Sequence, residues 1–144
     1  MKAKMVWLCG SLALLACGPA RAGAEQELLS QAWSPDLQSC KFEFVRFSKT
    51  QMTFQPRNGA QSLLKVLDIV SPPEHPETVM VVFDPGDRPA PNGRPRDEDL
   101  GAFLFDLSGE RLQLIAQGAP INLLPVMPNR PNAKRFDLVR CLPA

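Results

Sequence analysis

The sequence contains a single histidine, no tyrosine and four cysteines, and this scarcity argues against several classes of catalytic and metal site. A nucleophilic serine or cysteine needs a neighbouring base, which is usually a histidine. The only histidine, His75, lies in the proline-rich stretch 71–76, and the chain has no Gly-x-Ser-x-Gly motif. We therefore predict no catalytic residue, no cofactor and no metal site, and we interpret His75 as an exposed turn residue.

The acidic residues offer two further chemistries, but neither shows a diagnostic spacing. An EF-hand calcium loop needs Asp-x-Asp-x-Asp-Gly spacing followed by a glutamate. The acidic cluster of the chain lacks that pattern; its members are Asp84, Asp87, Asp97, Glu98 and Asp99. A glycosidase-like hydrolase needs two carboxylates that flank the substrate. The candidates on predicted strands are Glu43, Asp68 and Asp106, and an exported hydrolase that uses such a pair stays open as an alternative function.

Residues 1–24 have the three parts of a secretory signal peptide. Lys2 and Lys4 provide a cationic start, residues 5–17 an uncharged apolar run, and residues 22–24 a small-residue cleavage site. The apolar run is shorter than the roughly 20 residues that a membrane-spanning helix needs. We therefore predict that the protein is exported to the periplasm or secreted.

Processing of this signal has three possible outcomes in the sequence. A cut after Ala24 would start the mature chain at Glu25, and a cut after Ala22 fits nearly as well. The segment Leu14-Leu15-Ala16-Cys17 also resembles the bacterial lipobox. In that reading Cys17 is acylated, and the protein is a membrane-anchored lipoprotein.

Size and charge limit the partners of the mature chain. Removal of residues 1–24 leaves 120 of the 144 residues, which is the size of a single domain. Three of the 16 basic residues lie in the signal, so 13 remain against 15 acidic residues, a net charge of −2. Such a domain lacks the basic surface that nucleic acid requires. We predict no nucleic-acid partner, and membrane contact only through lipidation at Cys17.

Only two cysteines, Cys40 and Cys141, lie outside the signal. An isolated pair in an exported domain is typical of one disulfide. The bridge would close a loop of about 100 residues and stabilise the fold by about 4–5 kcal/mol in the chain-entropy picture. The alternative, a metal site with two thiolates, lacks other ligands in the sequence.

Short alternating segments predict a mainly β domain of residues 25–144, closed by this disulfide. The 15 prolines argue against long helices, and we expect one short N-terminal helix, Glu25–Trp33, with Trp33 as a core anchor. Alternation of apolar and polar residues marks strands with one buried face. Six to eight short strands in an antiparallel barrel or sandwich are expected. The predicted strands are 41–47, 50–55, 61–70, 78–83, 102–107, 111–115, 121–126 and 135–141.

The segment 61–70 fits two periodicities. Leu63, Leu67 and Val70 have the spacing of one helix face, whereas Val66 and Ile69 are β-branched and follow a hairpin signal, Asn-Gly. We favour a strand, and the sequence leaves the helix open.

Two stretches without apolar anchors predict exposed loops. Residues 84–100 are expected to form a long flexible loop, and residues 128–135 a second exposed segment. Their arginines offer planar groups that bind acidic surfaces in two-point contacts. The predicted partner-binding residues are Arg88, Arg94, Arg96 and Arg130.

Together these features favour a small exported, non-enzymatic binding protein that engages a protein partner through exposed loops. The alternative is a lipocalin-like barrel that holds a small apolar ligand. Its lining, or simply the core filler, would be Phe42, Phe44, Phe54, Phe83, Phe103 and Phe105. A cavity between these rings would favour the ligand, whereas a filled interior with an exposed apolar patch would favour the protein partner.

Overall fold

The computed structural model describes residues 23–86 and 95–141, which form a closed antiparallel β-barrel. The mainly β prediction is confirmed, and the architecture is a barrel rather than a sandwich. The described residues do not include residues 1–22, which contain Cys17, or residues 87–94, which contain Arg88 and Arg94. The predictions made for them, including the signal peptide and its lipidation, stay predictions.

The described part of the chain contains two short helices and nine strands. Helix α1 comprises Ala24–Ser30 and helix α2 comprises Pro131–Arg135. The strands are β1 Ala32–Ser34, β2 Phe44–Phe47, β3 Gln51–Gln55, β4 Ser62–Val70, β5 Thr78–Asp84, β6 Gly101–Asp106, β7 Arg111–Ala119, β8 Asn122–Pro125 and β9 Asp137–Arg140.

Eight of these strands close the barrel in a simple order. From β1 to β7 each strand pairs antiparallel with the next one along the chain, and β9 fills the gap between β7 and β1. Strand β8 pairs only with the C-terminal half of β7 and lies outside the ring. The first and last strands are therefore neighbours, with Trp33 opposite Arg140.

The predicted disulfide between Cys40 and Cys141 is confirmed, with the two Cα atoms 5.8 Å apart. Cys40 lies in a 3-10 turn, Ser39–Lys41, in the β1–β2 loop, so the predicted strand 41–47 begins later, at Phe44. The side chain of Asp36 causes this turn because its carboxylate accepts hydrogen bonds from the Ser39 backbone N–H and hydroxyl at 2.8 and 3.0 Å.

The N-terminal helix exists but is shorter than the predicted span Glu25–Trp33. It ends at Ser30, because the next residues extend and pair with β2, Trp33 opposite Val45. Trp33 is fully buried in the barrel core, as expected, and its indole N–H donates to the Leu28 carbonyl at 3.2 Å. A strand residue therefore ties the helix to the sheet.

Residues 62–70 form a strand, which decides the ambiguity of that segment. A β-bulge between Val66 and Asp68 inserts one residue without a partner on β5. The inward positions before and after the bulge, Val66 and Ile69, are therefore three residues apart. This spacing is what mimics a helix in the sequence.

The predicted strand 111–115 continues to Ala119 and returns as β8 after a two-residue turn. Gly118 permits this return, because it has φ +144° and a Cβ atom there would lie 2.6 Å from the Asn122 carbonyl oxygen.

Helix α2 was not predicted. It begins with Pro131 at its first turn, where a missing N–H costs nothing, and it shortens the last strand to Asp137–Arg140.

Every strand of the ring except β3 and β4 has at least one inward side chain that is less than 3% exposed. The buried side chains form one continuous hydrophobic core. Its largest fully buried members are Trp33, Phe47, Phe105, Leu28, Leu112, Leu138, Val45, Val79 and Val81. The barrel interior is therefore filled by protein side chains.

Candidate functional site

The two ends of the barrel have different constructions. We call the end that carries α1 and the β6–β7 turn (residues 107–110) the base. The opposite end, the mouth, carries the β5–β6 connection and the β7–β8 hairpin. At the base α1 inserts Ala24 and Leu28, which are 4% and 0% exposed, into the core. The mouth instead opens into a groove of about 820 Å³, the mouth groove.

A column of phenylalanine rings leads from the core to this groove. The rings of Phe47 and Phe105 contact edge to face deep in the barrel, with centroids 5.6 Å apart. Phe136 lies 5.6 Å from Phe105 and 5.3 Å from Phe103. Phe103 in turn lies 4.7 Å from Phe83. The last two rings are only partly buried and form the floor of the mouth groove.

The floor depends on a glycine in β6. A Cβ atom on Gly101 would collide with the ring of Phe83, which faces it across the β5–β6 pair. Because glycine lacks that atom, the ring can lie flat over the neighbouring strand. Gly101 therefore sets the depth of the groove at this point.

The six phenylalanines named from the sequence separate into four groups. Phe105 is core filler, whereas Phe83 and Phe103 line the mouth groove. Phe54 packs against the core with the Arg135 guanidinium 4.2 Å from its ring centroid. The other two, Phe42 and Phe44, do not line the interior. Phe42 is 58% exposed beside the disulfide, and the Arg46 guanidinium lies 5.3 Å from the centroid of the Phe44 ring.

The wall of the groove formed by β8 and the residues after it is apolar and open to solvent. Leu124 and Met127 are 61% and 60% exposed, and Ile121 at the tip of the β7–β8 hairpin is 79% exposed. The Val126 N–H donates to the Ile115 carbonyl at 2.9 Å, which holds this segment against β7. We call Ile121, Leu124 and Met127 the mouth patch. Contiguous exposed apolar surface of this kind is typical of interaction sites.

Of the four predicted partner-binding arginines, Arg130 lines the mouth groove. Its guanidinium makes no ion pair or hydrogen bond with any residue that the structure describes. The backbone position is fixed, because the Arg130 N–H donates to the Met127 carbonyl at 3.0 Å and its carbonyl accepts from Lys134 at 3.1 Å. Arg96 lies on the β5–β6 connection at the same end, 3.6 Å from Glu98.

The candidate carboxylates of the hydrolase alternative lie on three separate elements. Glu43 precedes β2, while Asp68 accepts from the Ile69 N–H at 2.9 Å in the bulge of β4. Asp106 accepts from the Ser108 N–H at 2.7 Å at the base. No two of the three share a hydrogen-bond partner among the described residues.

The remaining candidate ligand groups are also dispersed. His75 is exposed in the turn before β5, with its Nδ1 4.0 Å from Glu77. Asp97, Glu98 and Asp99 form a 3-10 turn, and Asp87 lies outside the described residues. Across residues 23–86 and 95–141, no three histidine, cysteine, aspartate or glutamate side chains come together to hold a metal ion.

A second groove, of about 930 Å³, lies on the outside of the barrel beside the disulfide. Its exposed apolar residues, Leu37 and Phe42, belong to the β1–β2 loop that the disulfide anchors. Hydrogen bonds from the Ser39 backbone N–H, and then from its hydroxyl, hold the pKa of Asp36 in this loop below its ordinary value. Of the two predicted partner-binding arginines that the structure describes, Arg130 lines the mouth groove and neither Arg96 nor Arg130 lines this second groove, so the mouth groove is the stronger candidate.

Comparisons with protein-family models, curated proteins and solved structures found no match to this chain. Within residues 23–86 and 95–141, no helix has the length and apolar character needed to cross a bilayer. The disulfide fits a protein that folds in an oxidising compartment outside the cytoplasm. The function must therefore be argued from the geometry of the barrel itself.

Proposed function

We propose that this protein binds a partner protein at its mouth, by taking an apolar side chain of the partner into the mouth groove. The observation that carries the proposal is the continuity of the mouth patch with that groove. Leu124 and Met127 belong to both, and they are more than half exposed although the barrel interior is well packed. Apolar surface left in water at one end of an otherwise well-packed barrel is available to a partner.

The charge at the groove indicates an acidic residue in the partner. Arg130 lies at its rim without an ion pair within the described part of the chain. Lys134 and Arg135 lie in the last turn of α2, which follows Arg130 directly, but they do not line the groove, and Arg135 packs over the Phe54 ring. A guanidinium binds a carboxylate through two parallel hydrogen bonds. We therefore expect the partner segment to combine a large apolar residue with a nearby aspartate or glutamate.

Strand addition at the free edge of β8 is a weaker mode of binding for this site. The edge of β8 that faces away from β7 has no strand partner among the described residues. However, β8 has four residues, and the last of them is Pro125, which has no N–H to donate. Side-chain contacts in the groove therefore carry more of the proposed binding than main-chain pairing.

Selection of peptides from a random display library tests this proposal without knowledge of the natural partner. The purified domain should enrich peptides that pair a large apolar residue with an acidic one. Arg130→Glu should weaken the best peptide at least about tenfold, because it places like charges together. Lys65→Glu is the matched control, because Lys65 is exposed on β4 beside the apolar Leu63 and Leu67. Equal losses in both variants, or no enrichment, would contradict the proposal.

A small apolar ligand in the same groove is a second candidate, and a specific observation favours it. The groove has a volume of about 820 Å³ and a floor of two phenylalanine rings, Phe83 and Phe103, which is within the size range of ligand pockets. A naphthalene sulfonate dye whose fluorescence rises in apolar surroundings tests this candidate. Binding that Phe103→Ser abolishes and that a selected peptide does not compete away would favour the ligand over the protein partner.

A further inference from the structure

The two signal-cleavage positions that the sequence leaves open have different consequences for the base of the barrel. Ala24 is the first residue of α1, is 4% exposed and belongs to the hydrophobic core. The carbonyl of Gly23 accepts a hydrogen bond from the Glu27 N–H at 3.0 Å, which is the first bond of the helix. Both residues therefore belong to the folded domain.

A cut after Ala24 would remove both contributions. Helix α1 has seven residues, so the loss of its first residue and of the Gly23 carbonyl would leave little more than one turn. A helix this short has no stability of its own and depends on packing. The same helix carries Leu28. Its side chain is buried at the base of the barrel, and its carbonyl accepts a hydrogen bond from the Trp33 indole N–H. The loss of these contacts would weaken the cover that α1 forms over the base.

The surroundings of Gly23 suit a chain terminus. A cavity of about 630 Å³ at the base is lined by Gly23 together with Glu27, Glu77 and Arg140. Glu27 forms an ion pair with Arg140, while Glu77 contributes a second carboxylate to the lining. A positively charged amino group at Gly23 would therefore meet a lining with an excess of negative charge.

The residues before Gly23 meet the requirement of the cleaving enzyme. Signal peptidases need small residues at the first and third positions before the cut, and for this bond those residues are Ala22 and Ala20. We propose that the precursor is cut between Ala22 and Gly23, and that the mature amino terminus lies at the base cavity. The proposal rests on the predicted signal peptide and is independent of binding at the mouth.

Expression of the full precursor in a bacterial host, followed by intact-mass measurement and N-terminal sequencing of the exported protein, tests the cut. The expected mature chain starts at Gly23 and carries no lipid. A chain that starts at Glu25 or at an acylated Cys17, or a precursor that stays intact, would overturn the proposal. Ala20→Arg should block the cut after Ala22 and leave either intact precursor or a chain that starts at Glu25, whereas Arg21→Lys, at a position without a size requirement, should be processed normally.

A second measurement tests the structural argument apart from secretion. Chains that begin at Gly23 and at Glu25 are released from a cleavable tag and compared by thermal unfolding. The chain that begins at Gly23 should unfold several degrees higher, because it keeps the buried Ala24 and the first helical bond. Equal midpoints would show that neither residue matters to the fold and would remove the basis of the proposal.

Discussion

The base and the mouth of this barrel are built from the same strands but treat their apolar side chains in opposite ways. At the base, Leu28 and Trp33 are completely buried, and a helix covers the opening. At the mouth, Leu124 and Met127 remain 61% and 60% exposed. Burial stabilises a fold and exposure does not, so Leu28 and Trp33 contribute to stability, whereas Leu124 and Met127 remain available for binding.

The cross-links of the chain follow the same division. The disulfide, the Arg140–Glu27 ion pair and the Trp33–Leu28 hydrogen bond all lie toward the base. The mouth is held mainly by backbone hydrogen bonds and by a bond from the Asn132 side chain to Gln117, at 3.0 Å. Substitution of a side chain of the mouth patch therefore removes none of these cross-links, which is what a binding surface requires.

Loss of the disulfide should have the largest effect on stability. The double variant Cys40→Ser, Cys141→Ser should unfold about 4–5 kcal/mol more easily, because the unfolded chain is no longer constrained across its length. Urea denaturation monitored by tryptophan fluorescence measures the change. If the comparison of the two ends is right, the variant that remains folded should still bind mouth peptides. A loss of binding without unfolding would place the disulfide in the binding site.

A matched pair of leucine truncations tests the division between base and mouth directly. Leu28→Ala should cost about 2–5 kcal/mol, because it leaves a cavity under the helix. Leu124→Ala, at an exposed position, should change stability by less than about 0.5 kcal/mol. The same two variants should show the opposite order in peptide affinity. Similar destabilisation by both would mean that the mouth contributes to the core after all.

Gly118→Ala should have an intermediate effect, confined to the mouth. Its positive φ and the nearby Asn122 carbonyl make any side chain strained there, at a cost of about 1–3 kcal/mol. Amide hydrogen exchange should show faster opening of β8 with little change at the base. Uniform acceleration across the barrel would indicate that β8 is part of the cooperative core.

The smallest expected effect concerns pH and the β1–β2 loop. The pKa of Asp36 is lower in the folded protein than in the unfolded chain, because Ser39 donates hydrogen bonds to the carboxylate. Its contribution is therefore complete above the ordinary aspartate pKa and is lost as the pH falls through the lowered value. Asp36→Asn should flatten this part of the stability profile between neutral and acidic pH. An unchanged profile would show that Asp36 does not contribute to it.

Local patterns were enough to predict most strands of this barrel. Alternation located β3 and the closing strand, because each has one face in the core and the other toward solvent, and a nearly continuous apolar run located β5. One error and one ambiguity fall where a contact distant in sequence overrides the local pattern. Trp33 left the predicted helix to pair with Val45, and the bulge at Val66 gave β4 a helical spacing.

The candidate site was only partly visible in the sequence. Arg130 was identified from its exposed stretch, and Phe83 and Phe103 were named among the apolar candidates, but nothing in the sequence placed them together. The mouth patch was missed, because Leu124 and Met127 look like ordinary core residues of a short strand. The prolines around them, at 120, 125 and 128, were the one available signal that this segment lies outside the closed sheet.

By itself the sequence determined the mainly β class, the single disulfide pair and the scarcity of catalytic side chains, since these follow from composition and local periodicity. The tertiary structure decided which end of the barrel is sealed, where β8 leaves the ring and which apolar residues stay in water. Those features depend on how the ring closes between β1, β7 and β9. Closure brings together residues far apart in the chain, and local patterns carry no information about such distances.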